Sequence, residues 1–387
     1  MYVQSMIHKL LSDFMHLKRL YSLISVVQGA FEAKQFSVTG LGRALPLAIQ
    51  ERSGIRKVDR LVGNEKLHSQ RKDVYCEIAS LLIGNVQKPW ILVDWSLVPN
   101  TTHQLLRAAL VCEGRALSIY EEVHPESKLA NRKVHQSFLK SLKKVLPKDC
   151  CPVIVTDAGY HTGWFKVVKK LGWDFVGRVR GQVHYLAEGK SRWQNLKSVH
   201  KKATKTPKKL GHVTLSKTEP LNGMMCFYKG TAKNRRSMNK LGQRRQSTRC
   251  KTNSKAAKEP WVLITSLDGK NVAKKVVRIY KSRMQIEEGF RDLKSSKYGF
   301  GFEQAQSRKI MRIENLLLIA MLASFVAWSV GWFAEKEERH YEFQANSIKN
   351  RRVLSLFYLG CRIIKKKIEF KIGRLSNITK ELEWAKL

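Results

Sequence analysis

From residue 5 to about 85, apolar positions fall into several short segments at helical spacing. In FSVTGLGRAL (36–45), Thr39 and Gly40 stand between two such segments, the pattern of a helix-turn-helix. GIRKVDRLVGNEKLHSQR (54–71) follows and offers Arg56, Lys57, Arg60 and Lys66 to phosphates. From residue 88 the pattern changes. WILVDWS is a short, β-branched apolar run that predicts a buried strand with Asp94 at or near its end. RAALVC (107–112) and ALSIYEE (116–122) predict two further strands joined around Gly114, and HQSFLKSLKKVL (135–146) an amphipathic helix. VIVTDAGY (153–160) repeats the first theme, a buried strand delivering Asp157 into a glycine-containing turn. WFKVVKKLGW (164–173) predicts a helix ending at Gly172, and FVGRVRG (175–181) another strand. The order β-β-β-α-β-α predicts an α/β fold, a mixed sheet with helices on both faces. In such sheets, sites form at strand ends.

Strand-like pieces continue past residue 182 in HVTLSK and MMCFYKG, broken by KKATKTPKK. Residues 229–258 then carry eleven cations, no acid and no aromatic, which predicts a loop ordered by DNA or a solvated linker. PWVLITSL (260–267) restores a strand and leads into IYKSRMQIEEGFRDLK (279–294). Helical spacing there puts Val276, Ile279, Ile286, Phe290 and Leu293 on a core-facing side. Tyr280, Arg283, Glu287 and Lys294 form a second stripe, about 100° round the same helix. Glu288 and Asp292 fall roughly opposite the apolar side and are expected to be solvated. Glu287 is expected at the edge of the core, flanked by cations. Further on, LLLIAMLASFVAWSVGWF (316–333) runs 18 residues without a charge, the lower end of membrane-spanning length. Ser324, Ser329 and Gly331 interrupt it and no second segment resembles a span, so it reads as a fully buried core helix.

Charge narrows the partners. Lys and Arg number 72 against 31 Asp and Glu, a net charge of +41. Such a surplus points to a polyanion: nucleic acid first, because many phosphate contacts release counterions, and an anionic membrane surface second. Seven cysteines, an odd number without CxxC spacing, fit neither a disulfide framework nor a zinc ribbon and predict reduced thiols in a cytoplasmic protein. The first twenty residues have no apolar core with a small-residue cleavage site, so no secretory signal is expected. GKS at 189–191 ends like a phosphate-binding loop, but His184 occupies the place of its first glycine. No HExxH occurs either.

Three carboxylates stand apart: Asp94 and Asp157 at strand ends, and Glu287 on a helix after a long insertion. Acids converging on one sheet edge suit two Mg²⁺ ions, which prefer hard oxygens and clamp both oxygens of an in-line phosphoryl displacement. In a chain of this charge the chemistry indicated is that of nucleic-acid phosphodiesters.

Tyr280-x2-Arg283-x3-Glu287-x6-Lys294 fits the Tyr-Arg-Glu-Lys signature of bacterial insertion-sequence DDE transposases. HLKRLYSL, VDRLVGNEKLH, ILVDWS, VTDAGY, KEPWVL, RMQIEEGFRDLK and FQANSIKNRRVLS extend the likeness from His16 to Gly360. They resemble the transposases of insertion sequences that flank tetracycline-resistance transposons. The resemblance implies an RNase H-like mixed sheet with flanking helices (86–181 and 259–335), interrupted by a β-rich insertion (182–258). A helical end-binding domain (1–85) precedes it and a helical C-terminal region (336–387) follows.

It further implies a metal-binding triad of Asp94, Asp157 and Glu287 holding two Mg²⁺, with Mn²⁺ able to substitute. Tyr280, Arg283 and Lys294 would contact transposon-end phosphates, Trp261 would receive a flipped base during hairpin formation, and Met284 would help displace it. The implied partners are transposon ends, target DNA and a second copy in a homodimeric synaptic complex, with no membrane and a nucleoid location. The segment after Gly360 resembles the family little. Two other functions fit the same acids and charge: a structure-specific nuclease without strand transfer, and a DNA-binding repressor with an inactive core. A membrane-anchored protein is a third.

Overall fold

The computed structural model describes residues 2–230, 247–248 and 259–373. Most of the expected basic loop therefore lies outside the described residues. Six helices come first: α1 (Tyr2–Leu11), α2 (Leu17–Glu32), α3 (Val38–Arg43), α4 (Glu51–Val62), α5 (Glu65–Ser69) and α6 (Arg71–Ile83). Three strands and a helix follow: β1 (Trp90–Leu97), β2 (His103–Val111), β3 (Ala116–Pro125) and α7 (Arg132–Val145). Then come β4 (Val153–Thr156), α8 (Thr162–Lys170), β5 (Asp174–Val179), β6 (His184–Ala187), β7 (Gln194–Asn195), α9 (Lys197–His200), β8 (Lys208–Leu215), β9 (Leu221–Tyr228) and β10 (Trp261–Thr265). The described chain closes with α10 (Val272–Lys281), α11 (Met284–Lys294), α12 (Ile310–Lys336) and α13 (Leu356–Lys365). It divides into two compact units, one of Met1–Pro152 with Met284–Leu387, the other of Val153–Arg283.

In the first unit β1, β2 and β3 form an antiparallel meander with β2 in the middle. α12 is its core helix. Nearly all of its most apolar window is buried in protein, as the uncharged run predicts. α13 crosses it closely because two glycines meet there. A Cβ on Gly331 would lie 1.9 Å from the Leu356 carbonyl oxygen, and one on Gly360 would lie 1.7 Å from that of Ala327. The N-terminal helices pack on α12 too, and buried polar groups tie them to it. The Glu314 carboxylate of α12 accepts from Arg71 at 2.7 Å and from the Val123 amide at 2.9 Å, and lies 2.6 Å from His68 Nε2. Asn315 donates to the carbonyls of Val62 and Asn64. The expected turn at Thr39–Gly40 is instead inside α3. The Ser37 hydroxyl accepts from the Gly40 amide, capping a helix that starts before the two residues rather than after them.

The second unit is a seven-stranded mixed sheet in the order β4-β5-β10-β9-β8-β6-β7. β4 and β5 run parallel, joined through α8, and the other neighbours are antiparallel. α10 packs on this sheet. The single helix expected through 279–294 is two helices. Ser282, buried, turns its hydroxyl back to the Ile279 carbonyl at 2.6 Å, and the Ser282 and Arg283 amides bond three residues back, so the α-helical ladder stops. The six described cysteines are all free thiols.

Candidate active site

β1 leaves the core as it approaches its end. Trp90 to Val93 are buried, Asp94 to Ser96 are half-buried and Leu97 is exposed. Asp94 pairs in register with Arg107 of β2, so the two side chains share one face of the meander. Arg107 is buried, ion-paired with Glu121 on β3, and its guanidinium lies 4.6 Å from the centre of the Phe290 ring. Phe290 belongs to α11, one turn after Glu287. α11 therefore lies across the face that carries Asp94. A second anchor holds its far end, where Lys294 Nζ donates to Ser96 Oγ at 2.7 Å and to the Leu97 carbonyl. Ser96 is two residues beyond Asp94, on the same face. Burial, helped by the nearby Arg107 charge, brings the Lys294 ammonium down to about 8.

Glu287 is two turns before Lys294 on the same side of α11 and is exposed. Met284 begins the helix, half-buried. The apolar side of 276–293 is buried as expected. The acids are not arranged as expected. Asp292, predicted to be solvated, is only 5% exposed, and Glu288 is half-buried; both are ion-paired with Arg115. Glu287, predicted at the core's edge, is the more open of the adjacent glutamates. Periodicity assumes one packed side. α11 has two, with β1 and β2 on one and the β2–β3 turn on the other.

In the second unit, Asp157 directly follows the fully buried β4 and is half-buried. Its Oδ1 accepts from the Gly159 amide at 2.8 Å, and a Cβ at residue 159 would sit 3.1 Å from that oxygen. Tyr280, on α10, is almost fully buried, and the charge of Arg178 on β5 acts on its phenol. Burial raises the Tyr280 phenol and lowers the Arg178 guanidinium. Arg178 Nε and Nη2 are buried without a hydrogen-bond partner among the described residues. Trp261 opens β10, half-buried, with its ring 5.6 Å from Tyr228 and 4.9 Å, edge-on, from Tyr280. Arg283, half-buried, closes α10's last turn onto the Tyr280 carbonyl, and its charge acts on the Tyr280 phenol.

Asp94, Glu287, Lys294 and Met284 thus belong to the first unit, and Asp157, Tyr280, Arg283 and Trp261 to the second. Carboxylate oxygens are the hard donors that Mg²⁺ prefers. Among the described residues, no three Asp, Glu, His or Cys side chains are gathered into a ready-made metal cluster. Arg107, Arg115 and Arg178 escape a reading by spacing. Their one sequence signal is a cation set within or beside an apolar strand, where burial demands a partner.

A profile of the family described as Transposase DDE domain matches residues 87–326, a span that includes Asp94, Asp157 and Glu287. Among solved structures, the chain is similar to a cryo-EM structure of a piggyBac transposase synaptic complex with hairpin DNA. The identity is 12% and the TM-score 0.41, over 95% of this chain and 76% of that one. No curated protein matches.

Proposed function

The chain belongs to the DDE transposase family, and on that premise we propose that it is a cut-and-paste transposase of the Tyr-Arg-Glu-Lys insertion-sequence type. It would be of the kind encoded by insertion sequences flanking tetracycline-resistance transposons. Residues 1–85 bind the terminal inverted repeats, an RNase H-like core at 86–181 and 259–335 cuts and joins, and 182–258 is the insertion. The enzyme works in the cytoplasm, on the nucleoid, as a homodimer that synapses two ends.

Asp94, Asp157 and Glu287 hold the divalent ions, Mg²⁺ or in its place Mn²⁺, which when bound neutralise charge on the attacking and leaving oxygens of the phosphodiester. Lys294, Tyr280 and Arg283 bind phosphates beside the cut and fix the scissile strand. Arg178, whose charge acts on the Tyr280 phenol, adds a cation behind them. Trp261 offers a ring face to a base extruded as the strand bends into a hairpin, with Met284 filling the place the base leaves. The reaction is strand nicking, hairpin formation by the freed 3′-OH, reopening, and joining to target DNA.

The observation that carries this reading is the seating of α11. Arg107 and Lys294 hold it across the face of the meander that bears Asp94, within the stretch matched by the family, which supports a shared role for Asp94 and Glu287. The test is Mg²⁺-dependent nicking of a duplex carrying the inverted repeat that flanks the gene. Asp94→Ala, Asp157→Ala and Glu287→Ala should each abolish nicking and leave end binding intact. Nicking that survives any one of them removes that residue from the triad. A product that is nicked but never joined to target would favour the nuclease.

A further inference from the structure

Arg115 stands in the tight turn between β2 and β3, directly after Gly114, whose φ of 66° suits a residue without a Cβ. The turn is fastened to the core helix: Trp328 Nε1 of α12 donates to the Glu113 carbonyl at 3.0 Å. From this fixed base the Arg115 side chain, 12% exposed, forks onto α11. Nη1 donates to Glu288 at 2.7 Å and Nε donates to Asp292 Oδ2. Glu288 and Asp292 are one turn apart, so they lie on one side of the helix. Burial raises the Asp292 carboxyl, and the Arg115 hydrogen bond and charge pull it back down.

A planar guanidinium held by two carboxylates one turn apart resists rolling of the helix, because a roll carries both acceptors out of the donor plane together. Ile286, Phe290 and Leu293 pack the apolar side of α11, and the fork holds the flank that they leave. A cavity of about 30 Å³ lies against the same side of α11, lined in part by Arg107, Arg115, Ser118, Gly289, Asp292 and Ser324. Glu287 precedes Glu288 by one residue, about 100° round the axis, so its direction follows the same roll.

We propose that Arg115 is a positioning residue: with Lys294 on the opposite flank, it fixes the roll of α11 and so aims the Glu287 carboxylate to the side shared with Asp94. The inference rests on the transposase reading for what Glu287 does, but not for what Arg115 holds.

Arg115→Ala alone would strand a buried carboxylate and blur the result with unfolding. The informative variant is Arg115→Met/Asp292→Leu, which removes both charges at similar volume. Crystal structures of the parent and this variant read the roll directly, without reference to activity. The expected result is α11 turned about its axis, with the Lys294–Ser96 contact displaced. An unmoved helix overturns the proposal. Beside it, single-turnover nicking of the inverted-repeat duplex is measured against Mg²⁺ concentration, with gel-shift affinity and a thermal melt as controls. The variant should bind ends as the parent does and melt at a similar temperature, yet nick about tenfold more slowly, with half-maximal rate at higher Mg²⁺. Arg115→Lys, which keeps the charge and loses the fork, should fall between them. A variant nicking at the parental rate, or one losing binding and nicking in step with its melting temperature, also overturns the role. If the parent fails to nick while α11 still turns in the variant, the transposase reading falls and the hold of Arg115 on α11 stands.

Discussion

Arg107 in the first unit and Arg178 in the second are both drawn out of water beside proposed catalytic acids, and they are treated differently. Arg107 has Glu121 to neutralise it and the Phe290 ring over its guanidinium. Arg178 has the Tyr280 phenol near its charge and, among the described residues, no hydrogen-bond partner for Nε and Nη2. Buried charge without a partner is costly, so a chain that retains it either gains an acceptor from a ligand or gives up stability. The first unit's cations hold their own structure together. The second unit's cation has no carboxylate bonded to it in that way.

The largest break in this comparison should come from Arg107→Ala. It leaves Glu121, which has no exposed side-chain surface, without its charge partner. A loss of about 3–5 kcal/mol is expected in denaturant unfolding. A loss below about 1 kcal/mol would mean that the pair is dispensable and the contrast with Arg178 false.

Next in size is Trp261→Ala in the second unit. Stacking on an extruded base contributes about 1–3 kcal/mol, so hairpin formation should fall roughly ten- to a hundredfold while first-strand nicking stays near normal. A gel resolving nicked from hairpin ends, run beside a melt, decides the matter. Equal loss of both products with a lowered melting temperature would reduce Trp261 to packing against Tyr228 and Tyr280.

Arg178→Met should show the opposite sign from Arg107→Ala. With an unsatisfied guanidinium replaced by an apolar chain of similar length, stability should hold or rise by about 1 kcal/mol, while end affinity drops about tenfold. A destabilised variant with unchanged affinity would make Arg178 an ordinary structural cation.

The smallest effect sharpens the comparison through pH. Lys294 titrates near 8 in the free protein, below its usual value, so between there and about 10.5 the unfolded chain binds more protons than the folded one. Stability from this group therefore rises with pH across that window. A bound phosphate would favour the charged form, so end affinity should weaken as pH climbs through 8, with proton uptake on binding above it. Calorimetry in buffers of different ionisation enthalpy reads that uptake, and Lys294→Met should abolish it. Uptake that persists in Lys294→Met assigns the proton elsewhere.

The apolar runs of β1 and β4 announce strands because both are buried where they run, and the acids that follow were visible for the same reason. The core helix α12 was equally plain, since 18 uncharged residues have few places to go. What the chain conceals is set by side-chain contacts, near and far, that spacing does not show. Nothing in Ser282–Arg283 forbids a helix; the break arises because the Ser282 hydroxyl, buried, bonds Ile279 in place of water. Asp292 lies on a polar flank by periodicity and is buried only because Arg115, 177 residues away, meets it there. Thr39 and Gly40 look like a turn until Ser37 caps the helix that contains them.

The division of the chain also bears on the order in which a ribosome can deliver it. Val153–Arg283 is one uninterrupted stretch, whereas the unit around α12 needs Met1–Pro152 and residues after 284. Until Ile310–Lys336 has emerged, α1, α2, α4 and α5 lack the apolar surface they close upon. Synthesis should thus yield a folded middle before a folded beginning, with the N-terminal helices exposed to protease or held by chaperones meanwhile. Nascent chains stalled near residue 320 and briefly treated with protease should lose the first 150 residues and keep the stretch from β4 to β9. Protection of the first 150 at that length would mean that they find another surface to fold against.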